Sequence, residues 1–138
     1  MTVHALEPYT GLVGRILLAA IYVISGINKA MNPEGTQQFM VSQGITWMTG
    51  FFYFGAVLVE IGAGMGLVLG YWTRVASGAL FMFMIPATLI FHIQLADPNQ
   101  MIHFMKNLAM MGGLLYVLTY GPGPISLDAR QRVINARR

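Results

Sequence analysis

The chain has 138 residues, of which 56% are hydrophobic and 9% charged; it has no cysteine and a formal net charge of +3. A water-soluble domain of this size carries roughly 25% charged residues to keep its surface wet, so an ordinary soluble fold is excluded. The missing cysteine excludes disulfides, thiolate-held metals and iron–sulfur clusters.

A mean hydropathy of +0.62 points to one membrane-embedded domain over residues 1–138, with the lipid bilayer as its first partner. A helix needs about 20 mostly apolar residues to cross the hydrocarbon, and four segments qualify. The first runs Tyr9–Ala30. The preceding MTVHALEPY lacks the basic region and small-residue cleavage site of a signal peptide, so this helix is expected to be retained. Asn32-Pro33-Glu34 combines a capping side chain, a proline at the first helical position and an acid in the first turn. It predicts a short interfacial helix, Pro33–Gln43, stopped at Gly44. The second span is Trp47–Gly70, whose one charge is Glu60. Tyr71–Arg74 turns the chain into an uncharged third span, Val75–Ala96, where Pro86 predicts a kink. Asp97-Pro98-Asn99-Gln100 separates it from the fourth, His103–Tyr120, which Gly121-Pro122-Gly123-Pro124 ends. In the remaining tail, residues 121–138, Ser126-Leu127-Asp128 caps a short basic amphipathic helix at the membrane surface. Continuous apolar runs favour helices over the short alternating strands of a β-barrel. The expected fold is all-α: a polytopic membrane protein with four transmembrane helices in a bundle.

An even number of spans puts both termini on one side. That side holds Arg15, Arg74, Arg130, Arg132, Arg137 and Arg138; the other holds Lys29 and Lys106. The positive-inside bias then places both termini in the cytoplasm. Four of the eight Lys/Arg fall in the last nine residues, a tail beside a membrane and not a nucleic-acid surface.

A charge within the bilayer costs about 2.5–3.5 kcal/mol on insertion scales, so each one needs a reason. Arg15 reads as two turns into the first span and Glu60 as mid-span in the second, depths that an arginine side chain bridges. An Arg15–Glu60 ion pair is therefore expected, either as a lock between two helices or as part of a polar pocket for a quinone headgroup or a proton. Arg15, Tyr22 and Lys29 recur every seven residues, one stripe on the first span with Ser25 and Gly26 beside it. A second polar group gathers at the outer ends: Ser25, Asn28, Lys29, His92, His103, Lys106 and Asn107. The two histidines come from different helices without metal-site spacing, and the eleven methionines are scattered as packing residues. No metal site is expected. Gly55, Gly62, Gly66 and Gly70 share a side of the second span, and Gly112 and Gly113 smooth the fourth, so these are the expected helix-packing surfaces.

Several of these elements recur in a known order. Gly14-Arg15-Ile16-Leu17-Leu18 continues to Ser25-Gly26-Ile27-Asn28-Lys29. Glu60 precedes glycines to Gly70 and then Thr73-Arg74. Asn107-Leu108-Ala109 leads to Gly112-Gly113, Gly121-Pro122-Gly123 and Ser126-Leu127-Asp128. Over essentially the whole chain this resembles the DoxX family of bacterial and archaeal four-helix membrane proteins. The resemblance implies a multi-pass cytoplasmic-membrane protein with both termini inside. It singles out Arg15, Lys29, Glu60, Arg74 and Asn107 as motif positions. The family's founding activity is as the small membrane subunit of a thiosulfate:quinone oxidoreductase, so the resemblance also implies a place in a membrane redox complex. The chain is too short and too poor in ligands to run such chemistry alone. The expectation is a subunit with no cofactor of its own, sharing a quinone site with other membrane subunits or with further copies of itself. A purely structural accessory subunit of a respiratory or photosynthetic complex, and a small transporter or channel, are the alternative readings.

Overall fold

The computed structural model describes residues 3–137, and among them it contains helices and no strand. Arg138, counted above with the basic tail, lies outside the described residues. Six helices follow in order: α1 (Val3–Met31), α2 (Pro33–Ser42), α3 (Thr49–Leu69), α4 (Thr73–Phe91), α5 (Pro98–Tyr120) and α6 (Leu127–Asn135). The long four, α1, α3, α4 and α5, are each apolar and long enough to cross a membrane. They form the four-helix bundle that the hydropathy predicts.

Three helix starts are written in the local sequence. The Asn32 carboxamide accepts from the Gly35 amide at 3.0 Å, Asp97 accepts from the Asn99 amide at 2.9 Å, and Ser126 accepts from the Ala129 amide at 3.1 Å. Each satisfies a donor that the first helical turn leaves open. Asp97 with Pro98 begins α5 five residues ahead of the expected His103, and α4 closes at Phe91, short of Ala96, so residues 92–97 form the outer connection. Helix α3 ends at Gly70, whose φ of +65° favours glycine. The Tyr71 amide reaches back to the Gly66 carbonyl at 2.9 Å and closes the last turn.

Helix α1 packs on α3, α3 on α4 and α4 on α5, while α1 and α5 meet only lightly. The central core is Ala19, Tyr22, Leu67, Ala76, Leu80, Met84 and Leu114. Lipid tails are as apolar as leucine, so close packing and interhelical hydrogen bonds hold such a bundle. The α4–α5 contact has a buried bond of this kind, Ser77 Oγ donating to the Leu114 carbonyl at 2.6 Å. The α1–α3 contact depends on two glycines. A Cβ on Gly26 would fall 2.6 Å from Ile61 Cγ1, and one on Gly64 would fall 2.8 Å from Val23 Cγ2.

These contacts fix an antiparallel register in which Gly26 faces Glu60, Val23 faces Gly64 and Arg15 faces Gly70. Arg15 therefore lies level with the end of α3, because α1 overshoots the bundle at its N-terminal side. Eleven residues of helix, about 16 Å, separate it from the level of Glu60. The expected Arg15–Glu60 pair does not form.

Candidate functional site

Glu60 is paired with Lys29. Tyr22, Ser25, Gly26 and Lys29 stand on one face of α1, spaced as i, i+3, i+4 and i+7, and the register turns that face toward Glu60. Lys29 Nζ lies 2.8 Å from Glu60 Oε2 and 3.0 Å from Oε1, and donates to Ser25 Oγ at 2.6 Å. Ser25 Oγ in turn donates to Glu60 Oε1 at 3.2 Å. Glu60 is 5% exposed, whereas the Lys29 side chain keeps 26% exposure. The Tyr53 hydroxyl fixes the end of α1 by donating to the Lys29 carbonyl at 3.1 Å.

This cluster forms one wall of a cavity of about 670 Å³ that draws residues from all of the first five helices. The walls are mainly apolar, with Phe39, Phe51, Phe52, Phe83 and Phe91 among them. Phe39 of α2 stacks on Phe91 of α4 at 5.5 Å, so the short helix leans over the cavity's outer end. Polar groups enter from two sides. From α1 and α3 come Tyr22, Ser25, Lys29 and Glu60; from α4 and α5 come His92, Lys106 and Asn107. Tyr22 is 1% exposed and its hydroxyl has no hydrogen-bond partner. A buried hydroxyl left unpaired is costly, and here it belongs to a residue lining a cavity.

On the α4–α5 side, Asn107 is buried and donates from Nδ2 to Thr88 Oγ1 at 3.1 Å. His92 Nδ1 lies 2.8 Å from Gln100 Oε1, and its ring stacks on His103 at 5.0 Å. Lys106 Nζ lies 3.2 Å from His103 Nδ1 at the exposed rim. His103 itself stands behind His92 and does not line the cavity. Among the described residues no group of three or more His, Asp or Glu side chains is placed to hold a metal.

The other singled-out residues lie elsewhere. Arg15 donates from Nη1 to the Pro122 carbonyl and from Nη2 to the Ile125 carbonyl at 3.0 Å, pinning the Gly-Pro-Gly-Pro segment to α1. Arg74 donates to the Thr119 carbonyl at 3.1 Å on the same end of the bundle. Of the glycines, Gly55 lines the cavity, Gly66 packs on Ala76, and Gly113 packs on Leu18. Gly62 and Gly112 are exposed with open space above them, so these two are not packing positions within the chain. The close-approach residue on α3 is Gly64, in the buried row Tyr53, Ala56, Glu60, Gly64 and Leu67. Following that row outward from Glu60 would have found it; following the glycines did not.

Asp128 is a further residue that the motif reading used only as part of a cap. Its carboxylate accepts from the Trp72 amide and the Thr73 amide, both at 2.9 Å, and so caps α4 from across the chain. Trp72 needs this hold because its own φ is +45°. Partial burial opposes the Asp128 charge, but the Thr73 and Trp72 donors and nearby Arg132 outweigh it and hold the carboxyl below its ordinary range.

Comparison with known proteins matches residues 11–93 to DoxX. The chain is 33% identical to the inner membrane protein YqjF of Escherichia coli, over 96% of this chain and 97% of that protein. It is 36% identical to the inner membrane protein YphA of the same organism, over 91% and 93%. It is 32% identical to an uncharacterized membrane protein of Mycobacterium tuberculosis, over 92% and 84%. No solved structure matches it.

Proposed function

The chain belongs to the DoxX family of multi-pass inner membrane proteins, and from that premise we propose that it is a membrane subunit whose cavity takes a quinone ring on behalf of a larger redox complex. The observation that carries this reading is an aromatic cavity of about 670 Å³ lined in part by Tyr22, whose buried hydroxyl has no hydrogen-bond partner. Ligand sites are commonly concave, mostly apolar and furnished with a few polar groups that fix orientation. Tyr22 offers a donor from the α1 side, and Asn107 and Lys106 offer donors from the α5 side, so a ring with oxygens at both ends finds partners at both. The Lys29–Glu60 pair supplies a fixed dipole beside it. With no cysteine for a thiolate-held centre, the reading leaves electron supply to a partner subunit. Arg15, Arg74, Arg130, Arg132 and Arg137 support placing the end that bears them in the cytoplasm.

The test is binding of a short-chain quinone to the protein in nanodiscs, titrated for wild type and Tyr22→Phe. Saturable binding that weakens in the variant supports the reading; equal binding in both removes its basis. One observation favours the alternative of a structural accessory subunit: Glu60 is already satisfied by Lys29 and Ser25. That reading predicts no saturable quinone binding and loss of complex assembly in Glu60→Gln.

A further inference from the structure

At the opposite end of the bundle from Lys29 and Glu60, α1 and α5 part and leave a second cavity of about 630 Å³. Gly11 and Gly14 line it from α1, and a Cβ on either would meet nothing within 4 Å. Tyr116 and Tyr120 line it from α5; both are exposed, with rings 5.4 Å apart. Tyrosines at the end of a span mark the level of the lipid headgroups. Leu18 and Gly113 close the inner end.

Arg15 also lines this cavity, and among the described residues no acid forms an ion pair with it. It is 3% exposed, and the partners of its Nη atoms are the carbonyls of Pro122, Ile125 and Val68. Among the described residues the only ion pair is Lys29–Glu60. Asp128 acts on Arg15 at longer range, but its two oxygens are taken by the Trp72 and Thr73 amides. The Arg15 Nε–H is buried without any partner. A permanent cation held by neutral carbonyls favours an anion beside it, and a guanidinium suits phosphate oxygens in particular.

We propose that this α1–α5 groove binds the phosphate of an anionic membrane phospholipid. The phosphate sits beside Arg15 over the bare backbone of Gly11 and Gly14, and the acyl chains leave past Leu18 and Gly113 into the bilayer. Free inorganic phosphate offers the same head chemistry without the chains. The groove and the quinone cavity share no lining residue, so the two proposals fail separately.

The experiment is thermal unfolding of the delipidated full chain in detergent, titrated in turn with dioleoylphosphatidylglycerol, dioleoylglycerol and inorganic phosphate. Two variants are run beside wild type. Gly14→Leu puts a side chain into the groove while keeping Arg15 itself, and Gly112→Leu adds the same side chain at an open position outside it. A ligand bound only by the folded state raises Tm by mass action. The phosphatidylglycerol is expected to raise Tm by roughly 5 °C in wild type and Gly112→Leu, with no rise in Gly14→Leu. An equal rise with inorganic phosphate, again absent from Gly14→Leu, keeps the phosphate site and assigns it to the free ion. An equal rise with dioleoylglycerol, or a full rise in Gly14→Leu, overturns the proposal.

Discussion

Lys29 and Glu60 meet across the α1–α3 contact with both carboxylate oxygens engaged, at 3.0 and 2.8 Å from Nζ. The pair exists because Gly26 lets the two helices close at that level, one turn from Lys29 and directly against Glu60. It is both a tie between helices and the ion pair in the cavity wall, and single and double substitutions separate those roles.

Glu60→Gln removes the anion and leaves Lys29 beside an apolar cavity. Breaking a buried pair costs about 3–5 kcal/mol; the partial exposure of Lys29 places this case near the lower end. The double variant Lys29→Met with Glu60→Met is expected to recover most of the loss. Thermal unfolding in nanodiscs checks both, and a Glu60→Gln protein as stable as wild type would mean that the pair does not hold α1 to α3.

Tyr22→Phe deletes a hydroxyl that bonds to nothing in the folded chain. Stability should stay within about 1 kcal/mol of wild type, while quinone affinity should fall about tenfold, near 1.4 kcal/mol. The two measurements together distinguish a ligand-facing hydroxyl from a packing residue, since a residue that only packs keeps its ring in Tyr22→Phe and would leave quinone affinity unchanged.

Asp128→Ala removes the cap on α4 and should cost about 1 kcal/mol, with faster hydrogen exchange at the Trp72 and Thr73 amides. The carboxyl is held below its ordinary value in the folded chain. Its contribution is therefore complete above the unfolded value of about 3.9 and is lost as pH falls through the lower folded value. Wild type should lose this increment in acid below that point, and Asp128→Ala should show no such step.

Gly64→Leu and Gly62→Leu form a matched pair two residues apart. The first drives a side chain into Val23, and the second adds one over open space. Overpacking costs about 1–3 kcal/mol, so Gly64→Leu should lower Tm clearly and Gly62→Leu should leave it unchanged or raise it. Equal effects would contradict the α1–α3 register.

The four spans, the α2 start at Asn32-Pro33 and the α6 start at Ser126 were legible because each depends on local chemistry: an apolar run, a capping oxygen, a proline. Lys29, Glu60, Ser25 and Tyr22 were legible as polar residues that a bilayer makes expensive, and the structure brings these four to one cavity. Their pairing was not legible. It depends on how far α1 slides along α3, and no residue in either helix states that offset. Judging depth from the ends of each span put Arg15 within reach of Glu60; the Gly26 and Gly64 contacts move it to the end of α3. Asp128 capping α4 was hidden for the same reason, since it joins elements 55 residues apart in sequence.

The most direct test of the central claim is photolabelling of the protein in native membranes with an azidoquinone, followed by mapping of the labelled peptides. Saturable labelling is expected only in peptides that line the cavity, around Phe51–Glu60 and Met82–His92, displaced by excess quinone and requiring about tenfold more probe in Tyr22→Phe. Labelling that does not saturate, or that spreads over lipid-facing positions such as Leu17 and Leu115 equally in wild type and Tyr22→Phe, would contradict that claim.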